Sequence, residues 1–489
     1  MLIVAFKSQR RIGMLKKSLI SLLSAVMILT LVFATSASAA ATTKSLSTNF
    51  TLVNLGSSSA DVVVDYVKPD GTPWTGSSYT SGTIPADGGQ WIVRQYFDTL
   101  TPGQGSVVIS ATQPLGALVQ LINRSGVPTS GAYKGFNAGT AKAYVPLVAR
   151  QGTSATGTAN SQIMIQNIGS AAIDVTVALT QVGDTTPDYT KTITGIAPKA
   201  TYTYDISDET NLPTNWFGSA EVSVTTTGGQ VAVVSNLFFG ADSLMTFNGF
   251  PQESVDSVWF VPLLYSRLTN SLNTSLAVQN LDTTDIAVGD LVLNCTKDPA
   301  YSGPDTVTVS NATAIPVKGS YTFNTLVDTT NFPTNWQGSC KVSVTSGKKV
   351  VALVMYRWVS TKDQAAYEAI PGSSASTTAY VPLIAKRLSN GFSTTVTIQN
   401  LSTNPATVTL TYTPSGGGTP IVRTGITIPA ESSIVRNFRL SSTELPEITD
   451  GWQGSLKIVS DQPVHAYIAN TYITPPNGDQ FMAYTALVP

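Results

Sequence analysis

The sequence predicts an all-β protein: four tandem immunoglobulin-like antiparallel β-sandwich domains in an elongated array, behind an N-terminal signal peptide. Three observations predict it. First, one element keeps returning. It reads Pro213-Thr-Asn-Trp-Phe-Gly-Ser-Ala-Glu-Val-Ser-Val224, then Pro333-Thr-Asn-Trp-Gln-Gly-Ser-Cys-Lys-Val-Ser-Val344, then a looser form around Trp452-Gln-Gly-Ser455, with a stripped form at Gly103-Gln-Gly-Ser106. Self-similarity at a fixed period is the signature of repeated structural units. Second, apolar residues alternate with polar ones at a period of two, as in half-buried strands. Third, each repeat spans about 115 residues and carries seven or so short strands, the count of an immunoglobulin-like sandwich.

Four markers recur in each unit. The first is an apolar strand ending in Asn-Leu or Asn-Ile, at Asn54, Asn167, Asn280 and Asn400, which stand 113, 113 and 120 positions apart. The second is an Ile-rich strand that reaches a proline turn at Pro85, Pro198, Pro316 and Pro429. Proline presets φ for a turn and cannot donate to a strand ladder. The third is the Gly-Ser element itself, followed by a hairpin and a further strand. The fourth closes the unit: Ala132-Tyr-Lys-Gly-Phe136, Met245-Thr-Phe-Asn-Gly-Phe250, Ala366-Tyr-Glu-Ala-Ile370 and Ala483-Tyr-Thr-Ala-Leu487. Connectors containing Tyr144-Val-Pro-Leu, Phe260-Val-Pro-Leu and Tyr380-Val-Pro-Leu lead into the next unit. The expected boundaries are 44–138, 142–252, 257–372 and 378–489. The Val-Pro connectors are too stiff for flexible linkers, so a rod or curved string is expected. The chain stops two residues after the fourth closing element, which leads us to expect a whole number of units and no C-terminal sorting signal.

Residues 1–39 read as a signal peptide. Lys16 and Lys17 precede an apolar stretch from Leu19 to Ala34, and Ala37-Ser-Ala39 offers a cleavage site. Met14 is a second possible start. A short uncleaved membrane anchor is the other reading of this stretch; no other segment is long and apolar enough to span a bilayer. An exported chain meets an oxidising environment, so Cys295 and Cys340, the two cysteines, are expected to form a disulfide within the third unit. The position of Cys340 matches Val107, Ala220 and Leu456 in the other units.

The Tyr-Val-Pro-Leu segment, the Ile-Gln-Asn strand and the Gly-Ser strand together resemble tandem repeats of exported surface proteins in filamentous Chloroflexi-type bacteria. The resemblance runs from about residue 44 onward. It implies an extracellular, non-enzymatic protein. The first unit departs from the pattern, lacking both the connector and the Trp.

Composition excludes some functions. Charged residues make up 12% and the formal net charge is −1, so no basic face exists to neutralise nucleic-acid phosphates. His465 is the one histidine. No nucleophile elbow, zinc-binding helix motif or phosphate loop is present. The acidic clusters Asp205–Glu209 and Asp282–Asp285 lack calcium-loop spacing and read as turn acids. We expect no catalytic residue, cofactor or metal. Trp216, Trp336 and Trp452 share one repeated position. They are either aromatic platforms for sugar rings or plugs at the end of each core. The expected function is a non-catalytic structural or adhesive surface protein, with a carbohydrate-binding protein acting through those tryptophans as the alternative. Cell-surface polysaccharide or other copies of the chain are the expected partners.

Overall fold

A computed structural model describes residues 46–489, except 124–127, 155–156, 441–444, 447 and 473–477, and the backbone of residues 27–32. The expected positive region at Lys16 and Lys17 and the cleavage site at Ala37–Ala39 lie outside the described residues. The protein is all-β, with 3% helix and 59% strand in multiple antiparallel sheets. Among the described residues no helix is long and apolar enough to cross a membrane.

The sheets fall into four blocks, each continuous in sequence apart from the stretch at 27–32. The third block shows the plan. One sheet runs in the order Ser320–Asn324, Leu272–Asn280, Val350–Trp358, Gln364–Glu368. The other runs Thr306–Ser310, Leu291–Lys297, Trp336–Val344, Val258–Ser266, Ile370–Pro371. In the fourth block a single strand, Trp452–Tyr472, passes through both layers and merges them into one seven-stranded sheet. The period-two alternation sets which side chains face inward. Along Ile173–Gln181, for example, Ile173, Val175, Val177 and Leu179 are buried.

The repeated asparagine holds each block at one point. Asn54, Asn167, Asn280 and Asn400 are all fully buried. In the second block, Asn167 Nδ2 donates to the carbonyls of Ala171 (2.7 Å) and Ile196 (2.9 Å), and Oδ1 accepts from Gly169 N–H at 2.8 Å. Asn54, Asn280 and Asn400 repeat all three bonds with their own neighbours. One side chain thus ties the end of its strand to the following turn and to the carbonyl just before, or one residue short of, the proline. Buried polar groups require such partners.

The first block is completed differently. In the other three, the Gly-Ser strand pairs on one side with the connector strand: Lys142–Arg150, Val258–Ser266 or Ser376–Lys386. In the first block, Ser106–Ala111 pairs there with Met27–Val32, from Met27 opposite Ala111 to Val32 opposite Ser106. Residues from the expected signal segment therefore occupy the place of the missing connector.

The four blocks close on themselves, which corrects the expected elongated array. The closing strands Thr129–Lys134, Ser243–Asn248, Gln364–Glu368 and Met482–Thr485 each contact the next, and the fourth contacts the first. The Gly-Ser serine explains the closure, because at every junction it meets the following block, a turn residue at three of them and Gln279 near the end of its strand at the second. Ser106 Oγ donates to Lys199 O at 2.5 Å, Gln279 Nε2 donates to Ser219 Oγ at 2.8 Å, and Ser339 Oγ donates to Glu431 O at 3.3 Å. At the closing junction Ser455 Oγ donates to Gly88 O. The same serine contact recurs at all four interfaces, three of them crossed by a connector and the fourth held by contact alone, and this brings the fourth block back onto the first. The cores also run across block boundaries. The apolar cluster of the first block takes in Met164, Val234 and Leu244 of the second, and that of the fourth takes in Leu118 and Ala132 of the first. The blocks bury their apolar surface together rather than singly.

Candidate functional site

The closing strands put one polar residue from each block around a common axis: Lys134, Asn248, Glu368 and Thr485. Each directly follows the buried aromatic of its strand, Tyr133, Phe247, Tyr367 or Tyr484. Together they line a cavity of about 350 Å³ whose rim includes Phe136, Phe250, Ile370 and Leu487. Lys134 Nζ donates to Thr485 Oγ1 at 2.6 Å and lies 3.6 Å from Glu368 Oε2. Asn248 N–H donates to Glu368 Oε1 at 2.6 Å. Asn248 and Lys134 exchange two bonds: Lys134 N–H to Oδ1 at 3.1 Å and Nδ2 to Lys134 O at 2.8 Å. Burial pushes the Glu368 pKa up, while the Lys134 charge and the Asn248 N–H pull against it.

His465 also lines this cavity. It is buried, and Ala466 N–H donates to its Nδ1 at 2.9 Å. Burial and then the Lys134 charge push its pKa down to about 3. The imidazole is therefore neutral near physiological pH, and its Nδ1 is occupied as an acceptor. The charged groups at this mouth are engaged with one another across the blocks.

Asp479 joins the blocks at the other end of the closing strands. It is 1% exposed. Its Oδ2 accepts from Ser243 Oγ (2.8 Å) and Leu244 N–H (3.0 Å) of the second block. Its Oδ1 accepts from Gln364 N–H of the third block (3.0 Å) and from Phe481 N–H (3.2 Å). Its backbone bridges to Thr129 of the first block. Burial raises its pKa, against the pull of these donors.

The residues singled out from the sequence fall as follows. Cys295 and Cys340 are bonded, with S–S 2.05 Å, and stand directly opposite one another on neighbouring strands. The same cross-strand position holds Tyr66 with Val107, Leu179 with Ala220, and Tyr412 with Leu456. Trp216 and Trp336 are 1% and 0% exposed, so neither offers a face to a ligand. Their indole N–H groups donate to Asp188 Oδ2 (3.2 Å) and Pro304 O (3.0 Å). Trp452 is half-buried and packs on the fourth core. The Trp-x-Gly spacing has a steric cause. A Cβ on Gly338 would lie 2.3 Å from Thr296 O and 2.4 Å from Trp336 Cη2. The first block, expected to lack this Trp, fills the niche from another loop, since a Cβ on Gly105 would lie 2.9 Å from Trp74 Cε3. Trp74 is the residue whose role the repeat pattern concealed. The acidic clusters cap turns: Asp205 Oδ1 accepts from Ser207 N–H at 3.0 Å, and Asp282 Oδ1 from Thr283 N–H at 2.8 Å.

No protein-family model matches the chain, and no curated protein matches it.

Proposed function

We propose that the chain is a non-catalytic, exported structural or adhesive protein of the cell surface, built from four immunoglobulin-like sandwich domains closed into a ring. The observation that carries this reading is the use of the Gly-Ser serine at all four junctions, the closing one included. A surface that repeats to lock identical neighbours is what a rigid scaffold needs. The mixed charges at the axial mouth support the same reading, because Lys134, Asn248, Glu368 and Thr485 spend their bonding on each other. The disulfide fits an oxidising compartment. The burial of Trp216 and Trp336 favours this reading over the carbohydrate-binding alternative built on the repeated tryptophans. Surface labelling of intact cells with electron microscopy tests the proposal. Compact ring-shaped particles on the outside support it; label confined to the cell interior overturns it.

A further inference from the structure

A second cavity, of about 310 Å³, opens between the third and fourth blocks. Trp358, the last residue of its strand, forms an aromatic wall with Tyr472 and Phe481. The Trp358 and Phe481 ring centroids are 5.4 Å apart, and Trp358 is half-buried, so part of the indole faces the cleft. Asp363 and Arg439 stand beside this wall. Asp363 is 4% exposed. Its Oδ2 accepts from Thr361 Oγ1 at 2.8 Å and the Gln480 backbone N–H also acts on the carboxyl, but its Oδ1 makes no well-formed hydrogen bond. The Gln480 Oε1, also in the lining, accepts none either.

Two buried acceptors without well-formed hydrogen bonds are costly unless something supplies donors. A ligand for this cleft must therefore bring donors. The Asp363 carboxylate and the Arg439 guanidinium are close enough to influence each other's ionisation, and their charges cancel. A net charge on the ligand gains little here. The aromatic wall asks for a flat apolar face. Hydroxyl donors, neutrality and an apolar face meet in a pyranose ring. The cavity lies at the small end of ligand pockets, which run from about 300 Å³ upward, so it suits one or two sugar residues.

We propose that this cleft binds a neutral sugar residue, stacked on Trp358, with its hydroxyls donating to Asp363 Oδ1 and Gln480 Oε1. This deepens the adhesive reading and rests on it only for the claim that the sugar belongs to a surface polysaccharide. The site is distinct from the repeated tryptophans and lies between two particular blocks.

The test uses the full chain with methyl α-D-glucopyranoside, methyl β-D-galactopyranoside and N-acetylglucosamine, and with tetramethylammonium as a cationic comparator. Saturation-transfer NMR and calorimetry report binding. We expect at least one sugar to bind with a Kd of about 1 mM, or about −4 kcal/mol, with saturation strongest on the ring C–H protons. Trp358→Ala and Asp363→Asn should each weaken it about tenfold, and Gln480→Leu, farther from the core, should do so about threefold. The proposal fails if no sugar binds up to about 50 mM, if the three variants bind like the parent, or if tetramethylammonium binds better than every sugar. Sugar binding by a protein found inside the cell would sink the adhesive reading and leave this one standing. A surface ring that binds none of the sugars would do the reverse.

Discussion

The junction between the third and fourth blocks and the seam between the fourth and the first join equivalent surfaces, yet the chain crosses only the former. At the crossed junction, Gln399 Nε2 donates to Cys340 O at 3.2 Å, Ser433 Oγ to Pro262 O at 2.9 Å, and Lys341 pairs with Glu431 at 2.7 Å. At the seam, Gln90 Nε2 donates to Pro382 O at 2.6 Å and Lys457 pairs with Asp87 at 3.0 Å. Gln90 and Ser433 occupy the same register, opposite Val53 and Gln399 respectively. One difference stands out. Where the crossed junction uses Gln399, the seam has Val53, packed with Tyr380 and Leu487. The seam gives up a buried hydrogen bond and gains apolar contact. The comparison teaches that closure is encoded in the repeated surface and not in the connector, since the same contacts form where no peptide bond holds the partners together.

Asp479 gives the sharpest way to break this equivalence, because it serves both sides of the fourth block. Asp479→Ala would strand donors from the second and third blocks, at a cost of about 3 kcal/mol or more. We expect a large drop in the unfolding midpoint by calorimetry, with hydrogen exchange rising first at Leu244 N–H and Gln364 N–H, which lose this acceptor. Unchanged protection of those two amides in that variant would contradict this role.

Gly338→Ala is next. The added Cβ meets both a carbonyl oxygen and the Trp336 ring, so overpacking of about 2 kcal/mol is expected in denaturant titration. Gly105→Ala should cost about the same, because its Cβ would lie 2.2 Å from Val67 O as well as 2.9 Å from Trp74 Cε3.

His465 separates the axial mouth from the junctions by its pH dependence. Its pKa falls from 6.5 in the unfolded chain to about 3 in the fold. Between those values the unfolded state binds more protons, so its contribution to stability is full above pH 6.5 and declines as pH falls toward 3. The slope cannot exceed about 1.4 kcal/mol per pH unit. Glu368, with its pKa raised, acts in the opposite sense, losing stability as pH rises. His465→Gln should therefore flatten the acid limb of stability against pH relative to the parent. Parallel curves for the two proteins would show that the imidazole is not buried as described.

The last comparison concerns the disulfide, whose loss the replacement can partly offset. The pair Cys295→Leu with Cys340→Ala copies Leu179 and Ala220 of the second block. Loop-closure entropy sets the loss below about 4 kcal/mol. Filling the same inward position with apolar groups should recover part of it, while the double Ala variant should lose more.

The sequence made the repeat, the strands and the paired cysteines legible, because each leaves a local periodicity or count. The asparagine was legible as a marker but not as a clamp, since its three partners include a carbonyl about thirty residues away. Closure was hidden for a physical reason. The Gly-Ser serine looks the same whether it faces water or a neighbour, and the seam joins residues hundreds of positions apart. One signal was available. The closing strands carry apolar or small residues on both faces, as in Ala132-Tyr133 and Ala365-Ala366-Tyr367, and such a strand must be covered on both sides. A rod would leave one face wet. The Trp position was legible as a period, but whether it plugged a core or faced solvent depended on a two-residue contact with Gly that only the fold reveals.

Small-angle scattering from the purified chain tests ring closure most directly. A closed assembly of this length has a radius of gyration of about 22–25 Å by the scaling of compact domains, with a single-peaked distance distribution. A markedly larger radius with an extended tail in that distribution would mean four blocks on a string, and would contradict the account.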